Sequence, residues 1–298
     1  MKRIAVLEGF SHHNIHASPD NAINHLNYDL VIKPKRGLHF EYRPNLLTRK
    51  TNEVLKKLAG MSGYGVPALL AELDLMKKSY GEHNLIHFFN GDTNCKLLPY
   101  IKGKNSVVAT YHQPPDIFNK VFTTPTHISK LDAAIVTSPV LTETLARYID
   151  RDRIYFVPLA IDTGVYRSAV KKIQAEEKTC IFAGNWLRDF DTMRRVAERL
   201  QNERHIKFQI ITPEQNWKIF AGLNNVELFS GITFEDYVEK FFRASLMVIP
   251  FKDCTSNLAI LEAMACGLPI VTTDVGGIRD YVSESYTILD KKGDDESV

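Results

Sequence analysis

Ser256-Asn257-Leu258-Ala259-Ile260-Leu261-Glu262-Ala263-Met264-Ala265-Cys266-Gly267-Leu268-Pro269 runs directly into Ile270-Val271-Thr272-Thr273-Asp274-Val275-Gly276-Gly277. The first part predicts a helix over Asn257–Ala265. Ser256 and Asn257 are capping residues for a helix start, whose leading N–H groups lack intrahelical acceptors. Such amides point outward and make a ready phosphate site. Gly267 stops the helix and Pro269 keeps it from resuming. The second part is a short β-branched run, as in a strand buried on both faces. Gly276-Gly277 then gives a turn after that strand, where open α/β sheets bind ligands. Glu262 stands alone in an otherwise apolar helix, and a carboxylate so placed needs a partner. A sugar diol is one; a buried Lys or Arg is another.

The same alternation continues outward from this block. Strands are predicted over Arg3–Leu7, Leu30–Ile32, Leu85–Phe89, Val107–Thr110, Ala133–Thr137 and Ile154–Val157, then over Thr179–Ala183, Lys207–Ile211, Val226–Phe229, Leu246–Pro250 and Ile270–Thr273. Between them helical periodicity marks Pro67–Tyr80, Pro139–Tyr148 behind Ser138, Thr192–Gln201 and Phe234–Arg243 behind Thr233. This is an α/β chain with parallel sheets and right-handed crossovers. The alternation breaks once, at residues 158–178, before a fresh buried strand begins at Thr179. Two domains follow, residues 1–165 and residues 166–298.

Composition narrows the classes. Of 298 residues, 44% are hydrophobic and 24% charged, as in soluble globular proteins. Cys95, Cys180, Cys254 and Cys266 show no CxxC spacing, which argues against a zinc finger or disulfide framework and fits a reducing cytoplasm. No run approaches a membrane span of about 18 apolar residues. The first half carries 20 Lys+Arg against 15 Asp+Glu, the second 17 against 20. Residues 33–57 hold eight basic side chains against two acidic ones. That excess suits phosphates or an anionic membrane, or is simply a solvated face.

Three further stretches carry chemistry. Phe182-Ala183-Gly184-Asn185-Trp186-Leu187-Arg188 ends a strand in glycine and brings up a basic side chain. Val108-Ala109-Thr110-Tyr111-His112-Gln113-Pro114-Pro115 sets a histidine just past a strand. His87 and Asn90-Gly91-Asp92 belong to another strand end. The segment His12-His13-Asn14-Ile15-His16 places two histidines four apart, but neither a supporting Cys nor an HExxH pattern follows. No GxGxxG follows the first strand, which disfavours a nicotinamide enzyme.

With these motifs in view, the chain resembles the retaining GT-B glycosyltransferases of family 4, also called group 1, most strongly over residues 246–282. Members usually carry two glutamates separated by seven residues, the second opening a Glu-Ala-Met-Ala-x-Gly-x-Pro-Val-Val run. Here Glu262 takes the second place and Cys254 stands in the first, with Asp253 beside it as a substitute candidate. The family's Gly-Arg step is replaced by Gly184-Asn185, leaving Arg188 as the nearest basic residue. Only Gly9 of the family's Gly-Gly pair follows the first strand, and the chain ends at Val298 without the usual C-terminal helices. The geometry between the domains should then be looser than in the family.

The resemblance implies a GT-B fold: two Rossmann-like domains with parallel sheets facing across a cleft, the first for the acceptor and the second for the donor. It implies transfer of a sugar from a nucleoside-diphosphate sugar to a glycan or glycolipid acceptor, with retention, by front-face substitution. Glu262 would hold the ribose hydroxyls, and backbone amides around Thr255, Ser256, Asn257 and Leu258 the diphosphate, with Gly184 and Asn185 beside it. Arg188 would stabilise the leaving group and His112 support the donor sugar. No cofactor and no divalent metal is implied, and no nucleic acid. The setting would be cytoplasmic, in polysaccharide biosynthesis, with peripheral contact at an anionic inner membrane face through residues 33–57. Two alternatives stay open: a non-catalytic GT-B relative that binds a nucleotide-sugar or a partner, and a GT-B-fold sugar-nucleotide epimerase.

Overall fold

A computed structural model describes residues 1–7, 23–33, 46–166 and 178–293. The contacts divide the chain into two compact units that meet in sequence at Leu159 and Ala160. Among the described residues no helix is long and apolar enough to cross a membrane.

The first unit contains β1 (Lys2–Val6), β2 (Leu30–Ile32), α1 (Leu46–Ala59), α2 (Val66–Ser79), β3 (Asn84–Phe88), α3 (Leu98–Ile101), β4 (Ser106–Tyr111), α4 (Pro115–Val121), β5 (Ala133–Val136), α5 (Thr142–Leu145) and β6 (Ile154–Phe156). Its sheet is wholly parallel in the order β2-β1-β3-β4-β5-β6. Ile4, Val6, Ile86, Phe88, Val107 and Ala109 of the central strands are fully buried. Pro67 opens α2 at a position whose N–H needs no partner, and Ala68, Ala71, Glu72 and Leu75 turn inward at helical spacing. Glu72 is fully buried; its carboxylate accepts the amides of Lys96 (3.1 Å) and Leu97 (2.5 Å), and burial pushes its pKa up to about 7.

The second unit contains β7 (Lys178–Ala183), α6 (Phe190–Arg199), β8 (Ile206–Ile211), β9 (Val226–Phe229), α7 (Phe234–Arg243), β10 (Leu246–Ile249), α8 (Leu258–Ala265), β11 (Ile270–Thr273) and β12 (Thr287–Asp290). Its parallel sheet runs β12-β11-β10-β7-β8-β9. Each long helix begins on a side-chain cap: Asp189 accepts from Thr192 N, Thr233 from Asp236 N and Asn257 from Ile260 N. Tyr166, in the turn Thr163–Tyr166, packs into this unit's core with Ile181, Phe208 and Phe241.

Four elements go beyond the sequence reading: α1, β12 and the short helices α3 and α4. Helix α1 was not foreseen, because five charged side chains interrupt its six apolar ones and, among its described side chains, only Leu55 and Ala59 reach the core. Strand β12 was not foreseen either: it is a four-residue edge strand with Ile288 58% exposed, too short and too one-sided to show a buried run. The helix expected over Pro139–Tyr148 is instead a 3-10 turn (Pro139–Leu141) followed by the single turn of α5, and Ser138 caps it. Residues 8–16, with the single-glycine turn and the histidine cluster, lie outside the described residues. So do 34–45 of the basic stretch, most of the polar break and the last five residues.

Candidate functional site

Both sheets reverse direction once, and such a reversal opens a crevice at the strands' carboxyl ends. In the second unit the chain lays β8 and β9 on one side of β7, then returns to put β10 on its other side. The loops after β7 and β10 therefore part at this point. They are also stitched together: Lys252 N donates to Leu187 O (2.9 Å) and Asp189 N to Pro250 O (2.9 Å). Leu187 holds φ at 57°, a left-handed conformation uncommon outside glycine.

Arg188 is the centre of this arrangement. Its side chain is buried, with 7% exposure, and sits over the Phe251 ring at 4.6 Å. Nε donates to Ala183 O (3.0 Å), Nη1 to Trp186 O (3.0 Å) and Nη2 to Asn257 Oδ1 (3.3 Å). All three acceptors are uncharged, and among the described residues no carboxylate forms an ion pair with it; Glu262 acts on it only through its field. Desolvation brings its pKa down to about 10, so it remains a cation at neutral pH. A buried charge without a counter-ion is costly unless a ligand supplies one. Gly184, at φ +106°, leaves the guanidinium its space: a Cβ there would lie 2.5 Å from Nη2.

Asn257 links this cation to α8, since its Oδ1 also accepts Ile260 N (3.3 Å). The amides of Leu258 and Ala259 have no acceptor among the described residues. A positive helix end, amides without an acceptor among the described residues and a buried guanidinium thus converge on one electropositive corner, a geometry suited to an anion. The adjoining Gly276 (φ +53°) closes tightly over the β10 loop; a Cβ there would lie 2.0 Å from Cys254 O, and Gly277 N donates to the same oxygen (2.8 Å). Cys254 is buried, and burial drives its thiol up to about 12. Asp253 turns back on its own loop, Oδ1 accepting Cys254 N (2.8 Å). Asn185 is exposed, its Oδ1 accepting from Asn216 Nδ2 (2.8 Å).

The partner of Glu262 is neither a Lys nor an Arg. Its carboxylate is 1% exposed and receives two phenols: Tyr166 Oη donates to Oε1 (3.0 Å) and Tyr237 Oη to Oε2 (2.5 Å). Burial raises its pKa and the two phenols oppose the rise. Nothing in the sequence spacing singled out these tyrosines, which come from a turn 96 residues away and from α7.

In the first unit His112 follows β4, beside the reversal between β1 and β3. Its amide donates to Asp92 Oδ2 (2.7 Å) and its ring Nε2 pairs with Phe89 O (2.8 Å). A carbonyl only accepts, so Nε2 carries the proton and Nδ1 the lone pair. Burial lowers the pKa of His112 and keeps the ring neutral. Asp92 is buried, its Oδ1 has no partner among the described residues, and desolvation lifts its pKa to about 7. His87 lies deeper in the same strand end, Nδ1 against Tyr28 Oη (2.7 Å) and Nε2 against Thr110 Oγ1 (2.8 Å), held down to about 4 mainly by burial. Thus Gly184, Asn185, Arg188, Thr255, Ser256, Asn257, Leu258 and Glu262 all belong to the second unit, and His112 to the first. Among the described residues, no group of three or more His, Cys, Asp or Glu side chains gathers to hold a metal.

Residues 177–298 match the family described as glycosyl transferases group 1. The chain is similar to an α-(1→4)-mannosyltransferase of Mycolicibacterium hassiacum, 23% identical over 141 residues, which are 45% of this chain and 34% of that protein. The curated relatives it matches are spanned over about a third of their length or less. Among solved structures, sucrose-phosphate synthase from Thermosynechococcus elongatus superposes with a TM-score of 0.68 at 16% identity, over 99% of this chain and 87% of that one. Anabaena HepE, solved in complex with UDP-glucose, gives 0.67 at 13%, over 100% and 87%. At these identities the likeness is one of fold, and that fold is GT-B, with two α/β units that each carry a parallel sheet.

Proposed function

We propose that this chain is a glycosyltransferase that moves a sugar from a nucleoside-diphosphate sugar to a glycan or glycolipid acceptor, with retention and without a divalent metal. The observation that carries the reading is Arg188, a buried cation without an anionic hydrogen-bond partner among the described residues, beside the amides of Leu258 and Ala259, which have no acceptor there either. The match of the second unit to group 1 glycosyl transferases and the UDP-glucose complex of a protein with the same fold support it.

In this reading the donor's diphosphate takes the place of the missing counter-ion. Arg188 still has guanidinium hydrogens beyond those spent on Ala183, Trp186 and Asn257, and the α8 amides supply further donors. Both act on charge that grows as the diphosphate leaves, where fixed dipoles and a desolvated cation accelerate reaction. The leaving group's oxygen–carbon bond breaks as the acceptor oxygen bonds to the same face of the anomeric carbon, and the acceptor's proton passes to the departing phosphate. His112, of the first unit, is assigned the support of the transferred sugar. Glu262 receives the ribose hydroxyls. The acceptor belongs to the first unit, and a glycolipid acceptor brings the chain to an anionic membrane face.

The test is a thermal-shift panel of UDP-, GDP-, ADP- and TDP-sugars with chelator present, on wild type and Arg188→Met, followed by product analysis. A ligand at a hundred times its Kd adds about 2.7 kcal/mol to stability. A shift with one base, lost in Arg188→Met, supports the donor site; no shift with any donor refutes it. The buried thiol of Cys254, where the family carries a glutamate, favours a second reading: a protein that binds the donor without transferring it. A donor shift with no sugar product from any acceptor would identify that case, and a changed sugar nucleotide without acceptor would identify an epimerase.

A further inference from the structure

Helices α1 and α2 touch one another, and α2 packs against β2. Their inward residues are Leu55 and Ala59 on α1, and Ala68, Ala71 and Leu75 on α2. At 3.6 residues per turn, Lys50, Val54 and Lys57 of α1 turn away from that inward side, and Leu58 lies on its flank. The opposite face of α2 presents Leu70, Leu73 and Lys77, with Tyr80 following. Val54 is 56% exposed, Leu58 76%, Leu70 42%, Leu73 46% and Tyr80 89%. A helix that covers a sheet normally turns a polar stripe to water. Single exposed leucines are ordinary; exposed apolar side chains on each of two touching helices are less so.

Charge indicates what covers them. Arg49, Lys50, Lys56 and Lys57 on α1 face one acid, Glu53. On α2 Lys78 is paired with Asp74 (2.7 Å), while Lys50, Lys57 and Lys77 have no carboxylate partner among the described residues. Leucines flanked by unpaired lysines suit a bilayer interface: the apolar side chains enter the acyl boundary and the lysine heads reach lipid phosphates. A second copy related by a two-fold axis would set lysines against lysines. Nucleic acid would leave the leucines without an apolar partner.

We propose that the outward faces of α1 and α2 form a peripheral docking surface for an anionic lipid bilayer. This deepens the membrane contact named above, yet its test is independent of sugar transfer. The full chain is floated with phosphatidylcholine vesicles with or without about one-third phosphatidylglycerol, at about 0.05 M and about 0.5 M salt. Binding is expected only to the anionic vesicles and is lost at high salt. Lys50→Gln with Lys57→Gln should weaken it by about thirtyfold, from the usual contribution of a lysine near such a surface. Leu70→Ser with Leu73→Ser should weaken it by at least about tenfold, with the fold retained, as a cooperative thermal melt would show, because both side chains are about half exposed. Binding that is absent at low salt, equal on neutral vesicles, or unchanged in both double variants overturns the proposal. So does a lipid-free dimer, seen by light scattering, that Leu70→Ser with Leu73→Ser dissolves. The donor-induced thermal shift, measured on the same variants, should persist; its absence in wild type would count against the donor site and leave the docking result standing.

Discussion

Gly184→Ala should disable the anion-binding corner without touching a ligand-contacting side chain. The substituted residue would sit at φ +106° with its Cβ 2.5 Å from Arg188 Nη2, 3.0 Å from Cζ and 3.1 Å from Nε. The backbone conformation alone costs of order 1–3 kcal/mol in a residue with a side chain. The guanidinium must also move, and it is pinned at Ala183 O, Trp186 O and Asn257 Oδ1. Losing one such hydrogen bond costs about 1–2 kcal/mol. Roughly 3 kcal/mol in total corresponds to a melting temperature lower by about 6–12 °C. Displacing the cation should weaken a nucleoside diphosphate by at least about tenfold, the worth of one charge-assisted bond. Gly222→Ala is the control: its φ is also positive, at +87°, but nothing lies within 4 Å of the added Cβ. It should show strain without loss of affinity. Calorimetric titration and thermal melts of both variants decide the matter. Wild-type affinity in Gly184→Ala would refute the placement of Arg188 at the anion site.

Three other outcomes follow from the same geometry. Glu262→Gln turns one acceptor of a tyrosine hydroxyl into an NH₂ donor, so one phenol hydrogen loses its carboxylate acceptor; denaturant unfolding should show a loss of about 1–3 kcal/mol, and Tyr237→Phe in the same background should recover part of it. Asp92, lifted to about 7 from 3.8, binds its proton more tightly in the folded state, so its contribution is full below about pH 4 and is lost as pH rises to about 7; Asp92→Asn should remove that decline from the stability–pH curve. His87, held to about 4 from 6.5, has the opposite sign over the same range, so the comparison must be of variant with wild type rather than of raw curves. Gly276→Ala sets a Cβ 2.0 Å from a backbone oxygen that cannot swing away; it should cost more than Gly184→Ala and leave little folded second unit by circular dichroism.

Much of this was legible in advance because buried parallel strands advertise themselves as β-branched runs. Ile270–Thr273 is of that kind and Cys180–Ala183 is a continuous apolar run, and their glycine exits marked the loops now found at the sheet reversal. What stayed hidden depended on distance along the chain. Tyr166 and Tyr237 reach Glu262 from elsewhere, and a tyrosine in a turn or an amphipathic helix carries no sign of its partner. Arg188 could be picked out by position, but not its burial over Phe251. The outward leucines of α2 were invisible for a different reason: Leu69, Leu70 and Leu73 look alike in sequence, and only the sheet decides which of them it covers.

The bond from Tyr166 to Glu262 has a thermodynamic consequence. The turn Thr163–Tyr166 is among the first described segments of the second unit, and its hydroxyl occupies Oε1 of the glutamate assigned to the ribose. A ribose hydroxyl that takes this oxygen and the phenol that holds it are then competitors for one acceptor. Competition at a shared atom is reciprocal: the factor by which donor binding loosens the turn equals the factor by which the turn weakens the donor. On the proposed ribose role of Glu262, Tyr166→Phe removes the rival and should tighten the donor, and in wild type part of the donor's binding energy would go into releasing that segment. Hydrogen exchange at 163–166 would then rise as donor is added, reporting occupancy of the site from the chain's point of entry into the unit.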